Sequence, residues 1–347
     1  MKANNHGCFG LKAAVLRKPR EPLSIEDVKT PRPGFGEVLV EVKACGLCHS
    51  DLHFMDGVRR TGKLPIILGH EAAGVVVEVG EGVTEVEVGD RVAIEYYFTC
   101  GRCRYCRTGN ENLCENILRF GMDVDGAFAE YAKAPARNVV KVPGSVSMVD
   151  AAVSTDAVAT PYHALRYVGE LRGGEWLVVY GIGGLGVHAV QIGKLFGANV
   201  VAVDVLEEKL GLARRYGADY TVNASEVDPV EEVRAITGGG ADVAIDLAGR
   251  VKTVEYAVKS VRSLGRVVCV GFPPEPVPID VSDVIVRKVV IKGSRGLRHT
   301  DLEEVLSLVA KGVVKPVVSH RFRLEEINEG YERLRKGELI RGVVVYG

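Results

Sequence analysis

A chain of 347 residues and 37.4 kDa is long enough for two domains at roughly 100–200 residues each, with a sizeable buried core. Its 47% hydrophobic and 26% charged residues exclude a disordered polymer. The 44 Lys+Arg against 45 Asp+Glu leave a formal net charge of -1, without the global basic footprint of a nucleic-acid binder. No apolar run approaches the ~18 residues of a membrane span. No apolar segment follows Met1 as in a secretory signal, so the expected compartment is the cytoplasm. The first ten residues read as a tail without a structural role. Cysteine is the unusual feature: eight in all, five of them between Cys48 and Cys114.

From Leu11 to about Val142 the text reads as strands. Ala13–Leu16, Glu37–Val42 and Gly74–Val79 alternate or run β-branched, and Pro/Gly clusters separate them. Asp150–Val168 has helical periodicity. From Glu175 onward strands alternate with helices: Trp176–Tyr180, then Gly186–Phe196; Asn199–Asp204, then Glu207–Tyr216; Asp242–Asp246, then Thr253–Val261; and Arg266–Val270. Such alternation predicts a parallel sheet covered on both faces, an α/β coenzyme-binding domain. Val284–Ile291 reads as one more strand, at the end of that sheet. Helices are expected at Asp301–Lys311 and Leu324–Lys336, with a closing strand at Gly342–Tyr346.

The strand Leu177–Tyr180 runs into Gly181-Ile182-Gly183-Gly184-Leu185-Gly186 and then a helix. A lone G-x-G-x-x-G is weak, but here it lies between strand and helix, with Asp204 ending a second strand about 20 residues on. Glycine allows the tight turn, the approach of a pyrophosphate to the backbone, and close packing of the helix. A carboxylate at Asp204 suits ribose hydroxyls and repels a 2′-phosphate, and Val205 brings no compensating charge. NAD is therefore favoured over NADP. Lys209 lies a turn further on and is kept with the cofactor set.

Cys100, Cys103, Cys106 and Cys114 place four thiols within fifteen residues. Thiolates so close can surround one tetrahedral ion, and a closed Cys₄ site is usually structural zinc. Two disulfides are disfavoured in a reducing compartment, and no Cys-Pro follows to support an iron–sulfur cluster. Upstream, Cys45-Gly46-Leu47-Cys48-His49-Ser50-Asp51-Leu52-His53 is followed by Gly69-His70-Glu71. The C-x-x-C could be a redox pair. Alternatively a cysteine and His70 could hold a catalytic metal, which then needs a third ligand from a distant stretch. His163, His188, His299 and His320 have no metal spacing between them.

In order and spacing these motifs resemble the zinc-containing medium-chain alcohol dehydrogenases, and the likeness runs from Leu11 to Val345. The resemblance implies a Rossmann coenzyme domain at 158–296, inserted into a β-rich GroES-like catalytic domain formed by 1–157 and 297–347. It implies Cys48 and His70 as catalytic-zinc ligands. The third ligand is commonly cysteine in that family; the matching position here is Asp156, a competent oxygen donor, with Glu71 behind the metal or entering its shell. Asp51 matches the carboxylate that orients His70. His49 and Arg341 match pyrophosphate contacts. Thr160, Leu185, Val270 and Phe272 match positions around the nicotinamide. By resemblance, proton transfer falls to Ser50 and then, via a ribose hydroxyl, to His53 near solvent, whose ordinary pKa of ~6.5 suits the step. The implied activity is hydride transfer between NAD and primary or secondary alcohols and the matching aldehydes or ketones, with one catalytic and one structural zinc per chain.

The aspartate gives weight to a polyol, sugar or threonine dehydrogenase of the same fold. A non-catalytic zinc-ribbon binding protein is a more remote alternative. Expected partners are a small-molecule alcohol or aldehyde, with neither nucleic acid nor membrane, and further copies of the chain, a tetramer before a dimer. Tyr96, Tyr97 and Phe98 suit either a pocket wall or the core.

Overall fold

The computed structural model describes residues 10–347. Cys8 and nearly all of the expected tail lie outside the described residues. The chain forms two compact units. One holds the described residues up to Asp156 together with Arg298–Ala310 and Val317–Gly347; the other holds Ala157–Leu297 and Lys311–Pro316.

The first unit is built on a seven-stranded sheet. Its order runs Val139–Lys141, Arg91–Ile94, Glu71–Val79, Glu37–Leu47, Gly342–Val345, His320–Phe322, and Tyr131–Pro135 also pairs with Glu37–Leu47. A three-stranded sheet joins Ser24–Lys29, Gly10–Leu16 and Ile66–Ile67. The long strand Glu37–Leu47 is buried at Val38, Val40 and Val42 and again from Ala44 to Leu47, so its C-terminal end carries the following residues into the interior. In the antiparallel register Gly46 faces Glu71. That pairing brings Cys48, two residues beyond, close to His70, one residue before.

The second unit is a six-stranded parallel sheet in the order Tyr220–Asn223, Asn199–Asp204, Trp176–Tyr180, Ala241–Asp246, Val261–Cys269, Val290–Gly293. Numbered by chain position this is 3-2-1-4-5-6, the Rossmann order. Central strands such as Trp176–Tyr180 are buried almost throughout, as a sheet covered on both faces requires. The expected α/β unit and GroES-like β unit are both present. Lys311–Pro316 groups with this second unit: Gln191 Nε2 donates to the Lys315 carbonyl at 3.0 Å and its Oε1 accepts the Lys315 N–H at 2.9 Å.

One expected strand is corrected. Val284–Ile291 is not a strand: Val281–Arg287 is a helix and only Val290–Gly293 joins the sheet. Local polar groups override the β-branched run. Asp280 caps the helix by accepting from the N–H groups of Ser282 at 2.9 Å and Asp283 at 3.3 Å, and Asp283 pairs with Arg287 one turn on. Lys288, left-handed at φ 52, ends it.

Candidate functional site

Cys48 sits at the N-cap of the helix His49–Met55, where Asp51 turns back to accept the Cys48 N–H at 3.3 Å. The same aspartate is fully buried and divides its oxygens: Oδ1 lies 3.2 Å from His70 Nδ1, and Oδ2 accepts the Tyr331 hydroxyl at 2.8 Å. His70 is thereby held through Nδ1, leaving Nε2 to face the interior. Asp156 arrives on a helical stretch in which Met148–Val153 gives way to a π-helical turn, Ser154–Val158. Such turns often mark functional positions.

Cys48, His70, Glu71 and Asp156 are all buried, and one ligand atom from each lies within 4.8 Å of the others. Cys48 Sγ is 3.6 Å from Asp156 Oδ2, and His70 Nε2 is 4.0 Å from the same oxygen. Ser50 Oγ donates to Cys48 Sγ at 3.1 Å and stands 3.2 Å from His70 Nε2. Tyr96 donates its hydroxyl to Asp156 Oδ1 at 3.3 Å, and its ring meets His70 edge-on with centroids 5.3 Å apart. Arg341 is buried too. Its Nη1 pairs with Glu71 Oε1 at 2.7 Å and donates to the Leu47 carbonyl at 2.9 Å, while Glu71 Oε2 has no hydrogen-bond partner among the described residues.

The donor set fits a zinc ion. A thiol, an imidazole and a carboxylate converge, and a second buried carboxylate keeps an orphaned oxygen that only a cation or proton can satisfy. Burial pushes Glu71 up to about 8 against the pull of Arg341, with Asp156 reinforcing the rise. Burial draws His70 down, yet the charge and hydrogen bond of Asp51 reverse this and hold it well above its ordinary value. Both directions describe a pocket short of positive charge. Cys45 lies outside the donor set, and burial pushes its thiol well up.

The other four cysteines form a second donor cluster. Cys100, Cys103, Cys106 and Cys114 place their sulfurs within 4.8 Å of one another, with Cys103 and Cys106 at 3.5 Å. Backbone N–H groups point at the sulfurs: Cys100 to Cys114 Sγ at 3.2 Å and Cys103 to Cys100 Sγ at 3.3 Å. The N–H groups of Arg102 and Cys103 draw Cys100 down to about 6. A set of four thiols, one already inclined to thiolate, fits a closed structural zinc.

In the coenzyme unit Gly181 turns at φ +91, and a side chain there would meet the Ala248 backbone at 2.9 Å. The loop is tied to Asp204. Its Oδ2 accepts the Ile182 N–H at 2.7 Å, while Oδ1 accepts from Val205 and Leu206 at 2.8 and 3.1 Å. Gly183, Gly184 and Leu185 follow in the turn, and Gly186 opens the helix Gly186–Leu195. Thr160 and Val270 are buried, Phe272 is exposed, and the Lys209 side chain makes no hydrogen bond or ion pair among the described residues.

Residues 34–144 match the family model described as the alcohol dehydrogenase GroES-like domain, and residues 184–311 match that of the zinc-binding dehydrogenase. An alcohol dehydrogenase of Geobacillus stearothermophilus is 45% identical over 331 residues, covering 95% of this chain and 97% of that relative. The chain belongs to the zinc-containing medium-chain alcohol dehydrogenase family. Among solved structures, the alcohol dehydrogenase of the hyperthermophilic archaeon Aeropyrum pernix superposes with a TM-score of 0.90 at 39% identity, covering 97% of this chain and 100% of that one. Acetophenone reductase of Geotrichum candidum, in complex with NAD, gives a TM-score of 0.88 at 36% identity, with 97% of each chain covered. This dehydrogenase is thus an NAD-dependent zinc enzyme acting on alcohols, with a catalytic and a structural zinc.

No hydrogen bond joins Ser50 to His53, which sits half-buried on the same helix and is held below its ordinary pKa by burial and by Arg59. His49 is exposed. The charged end of Arg341 is committed to Glu71 and a carbonyl. Sequence reasoning passed over Tyr331, which supports Asp51 from 280 residues away, and the bond from Tyr96 to Asp156. Neither carries a local sequence signal.

Proposed function

We propose that Cys48, His70 and Asp156 hold the catalytic zinc, with Glu71 behind it, and that Cys100, Cys103, Cys106 and Cys114 hold the structural one. The observation that carries this reading is the convergence of the first four buried donors within 4.8 Å, with Ser50 Oγ at 3.1 and 3.2 Å from two of them. When bound, zinc supplies Lewis acidity toward an alcohol oxygen, and NAD supplies the hydride acceptor. Ser50 Oγ, beside Cys48 and His70, relays the proton of the alcohol: it accepts that proton as it gives up its own. His53, half-buried further along the same helix and not bonded to Ser50, is the acceptor toward solvent through an intervening hydroxyl. Asp51 and Tyr331 hold His70 in one ring orientation. Gly181, Gly183, Gly184 and Gly186 admit the pyrophosphate of NAD, Asp204 accepts from the ribose, and Thr160, Leu185, Val270 and Phe272 serve the nicotinamide end. His49 and Lys209 complete the coenzyme contacts together with Arg341, whose Nη1 is held by Glu71 and the Leu47 carbonyl and whose Nε has no partner among the described residues.

The site suits a small alcohol or aldehyde substrate. A screen of NAD⁺ reduction across primary and secondary alcohols, polyols and threonine, on protein carrying two zinc ions per chain, tests this. NADH formation from simple alcohols supports the reading; formation from polyols or threonine alone replaces the substrate class; no NADH from any of them overturns it.

Among the described residues no helix is long and apolar enough to cross a membrane. A cytoplasmic location is proposed on the four-thiol cluster of Cys100, Cys103, Cys106 and Cys114, whose geometry fits a zinc ion and so a reducing compartment. Assembly into a homo-oligomer, a tetramer by family resemblance, is supported by the end strand Val290–Gly293 beside exposed Val281, Ile285 and Val286. Light scattering of the purified enzyme tests it, and a monomer at micromolar concentration overturns it.

A further inference from the structure

At the far end of the helix that begins at Cys48, two loops border an open groove of about 630 Å³. Ten residues line it. Five of them are Lys18, Arg20, Arg59, Arg60 and Lys63, and none is acidic, in a chain whose formal net charge is -1. Leu64, exposed at the rim, supplies an apolar wall, while Phe54 lies buried beneath. Like charges gathered around one groove repel, so the arrangement costs stability unless an anion enters it.

The backbone holds the cations there. Arg20 is left-handed at φ 69, a conformation costly for a residue other than glycine, and its N–H donates to the Met55 carbonyl at 2.5 Å. Gly57 turns at φ 70 where a side chain would press on Pro19 at 3.1 Å, so the two loops meet closely. Arg59 donates its N–H to the His53 carbonyl at 2.9 Å, and Gly62 donates to Met122 at 2.9 Å. Strain of this kind persists where the surroundings enforce it, and it tends to accompany function.

Two of the five cations are balanced within the fold: Lys18 by Glu21 at 3.3 Å and Lys63 by Asp125 at 2.5 Å. The guanidinium groups of Arg20 and Arg60 make no ion pair or hydrogen bond among the described residues. Paired arginines with an uncommitted planar fork favour phosphate, which accepts two parallel N–H bonds from each.

We propose that this groove is a binding site for a phosphate-bearing anion, separate from the donor set of Cys48, His70 and Asp156 and from the glycine loop. The phosphate meets Arg20 and Arg60, with Arg59 and the two lysines adding charge. An organic portion, where present, lies on Leu64.

Calorimetric titration of the zinc-loaded enzyme, saturated with NADH so that the coenzyme site is filled, tests this at constant ionic strength. The probes are inorganic pyrophosphate, inorganic phosphate and phenyl phosphate. Arg20→Asn with Arg60→Gln is compared with Lys311→Ala with Lys336→Ala, a control that removes two exposed charges elsewhere; asparagine tolerates the left-handed backbone. The expected result is one site per chain for at least one probe, weakened about tenfold or more in the arginine variant and unchanged in the control. Alcohol oxidation by both variants reports that they fold. Tighter binding of phenyl phosphate than of inorganic phosphate identifies an organic phosphate; the reverse order identifies free phosphate or pyrophosphate. Absence of binding, or equal weakening in both variants, overturns the proposal and leaves only non-specific attraction to charge.

Discussion

Tyr96 donates its hydroxyl to Asp156 Oδ1 at 3.3 Å, while Asp156 Oδ2 faces Cys48 Sγ at 3.6 Å and His70 Nε2 at 4.0 Å. The two carboxylate oxygens thus have different tasks: one is held by the phenol, the other is presented to the donor set. A cysteine at this position has a single ligand atom and needs no such restraint. A carboxylate can rotate, and the phenol limits that freedom. Tyr96→Phe is expected to speed transfer of the catalytic zinc to a chelator by about 2- to 10-fold, the loss of one hydrogen bond of ~0.5–1.5 kcal/mol. The visible spectrum of the cobalt-substituted enzyme should shift in the same variant. An unchanged release rate and spectrum would show that Tyr96 only packs.

Removing the carboxylate itself should separate the two metals. Asp156→Ala is expected to lower zinc from two ions per chain to one and to abolish NADH formation, with the far-ultraviolet circular dichroism unchanged. Retention of activity with both ions bound would refute Asp156 as a ligand.

The cysteine lobe predicts the opposite pattern. Cys106→Ser breaks a closed four-thiol set, so zinc should again fall by about half, but the remaining ion is the catalytic one. Thermal unfolding should move to lower temperature while the KM for alcohol changes little at 25 °C. Loss of both ions together would show that the lobe and the catalytic donors fold as one metal-dependent unit.

Asp204 anchors the glycine loop through Ile182 and occupies the place where ribose hydroxyls are expected. Asp204→Ala should raise the KM for NAD by about tenfold or more, since a charge-assisted hydrogen bond is worth ~1.5–3 kcal/mol. The preference for NAD over NADP should narrow as the repulsive carboxylate disappears. Steady-state kinetics with both coenzymes decides it, and an unchanged preference would move the discrimination elsewhere.

A pair outside both metal clusters, a buried Glu95 and a partly exposed His299, gives a pH dependence. Glu95 is fully buried and raised by desolvation, opposed by His299 and Asn138. His299, 3.2 Å away, is raised chiefly by its hydrogen bond to Glu95, against burial, with Glu303 and Glu111 adding to the rise. Both folded pKa values lie above the unfolded ones. Their contribution is therefore present at low pH and is lost as pH rises through the folded values. For His299 that loss begins above about pH 6.5. His299→Gln should lower Tm most near pH 6, and the gap to the parent enzyme should narrow toward pH 9. A gap of constant size across that range would rule out titration of His299 as its cause.

Much of this molecule is legible in one dimension. The strand–helix alternation after Glu175, the glycine loop with Asp204, and the spacing of Cys100, Cys103, Cys106 and Cys114 are short-range patterns, and each of these local motifs reappears in the fold. Where short-range signals conflicted the reading failed: the β-branched run from Val284 reads as a strand, while the Asp280 cap and the Asp283–Arg287 pair make Val281–Arg287 a helix.

Sequence by itself determined the residue types that can bind metal and coenzyme, because those chemistries need particular side chains at close spacing. Tertiary structure decided which of them meet. The register of Gly46 against Glu71 joins Cys48 to His70, and the helix bearing Asp156 arrives more than a hundred residues later. Tyr331 and Arg341 reach Asp51 and Glu71 only after the chain returns to the first sheet. Buried polar groups must find partners wherever packing places them, and no local pattern records which distant residue that will be.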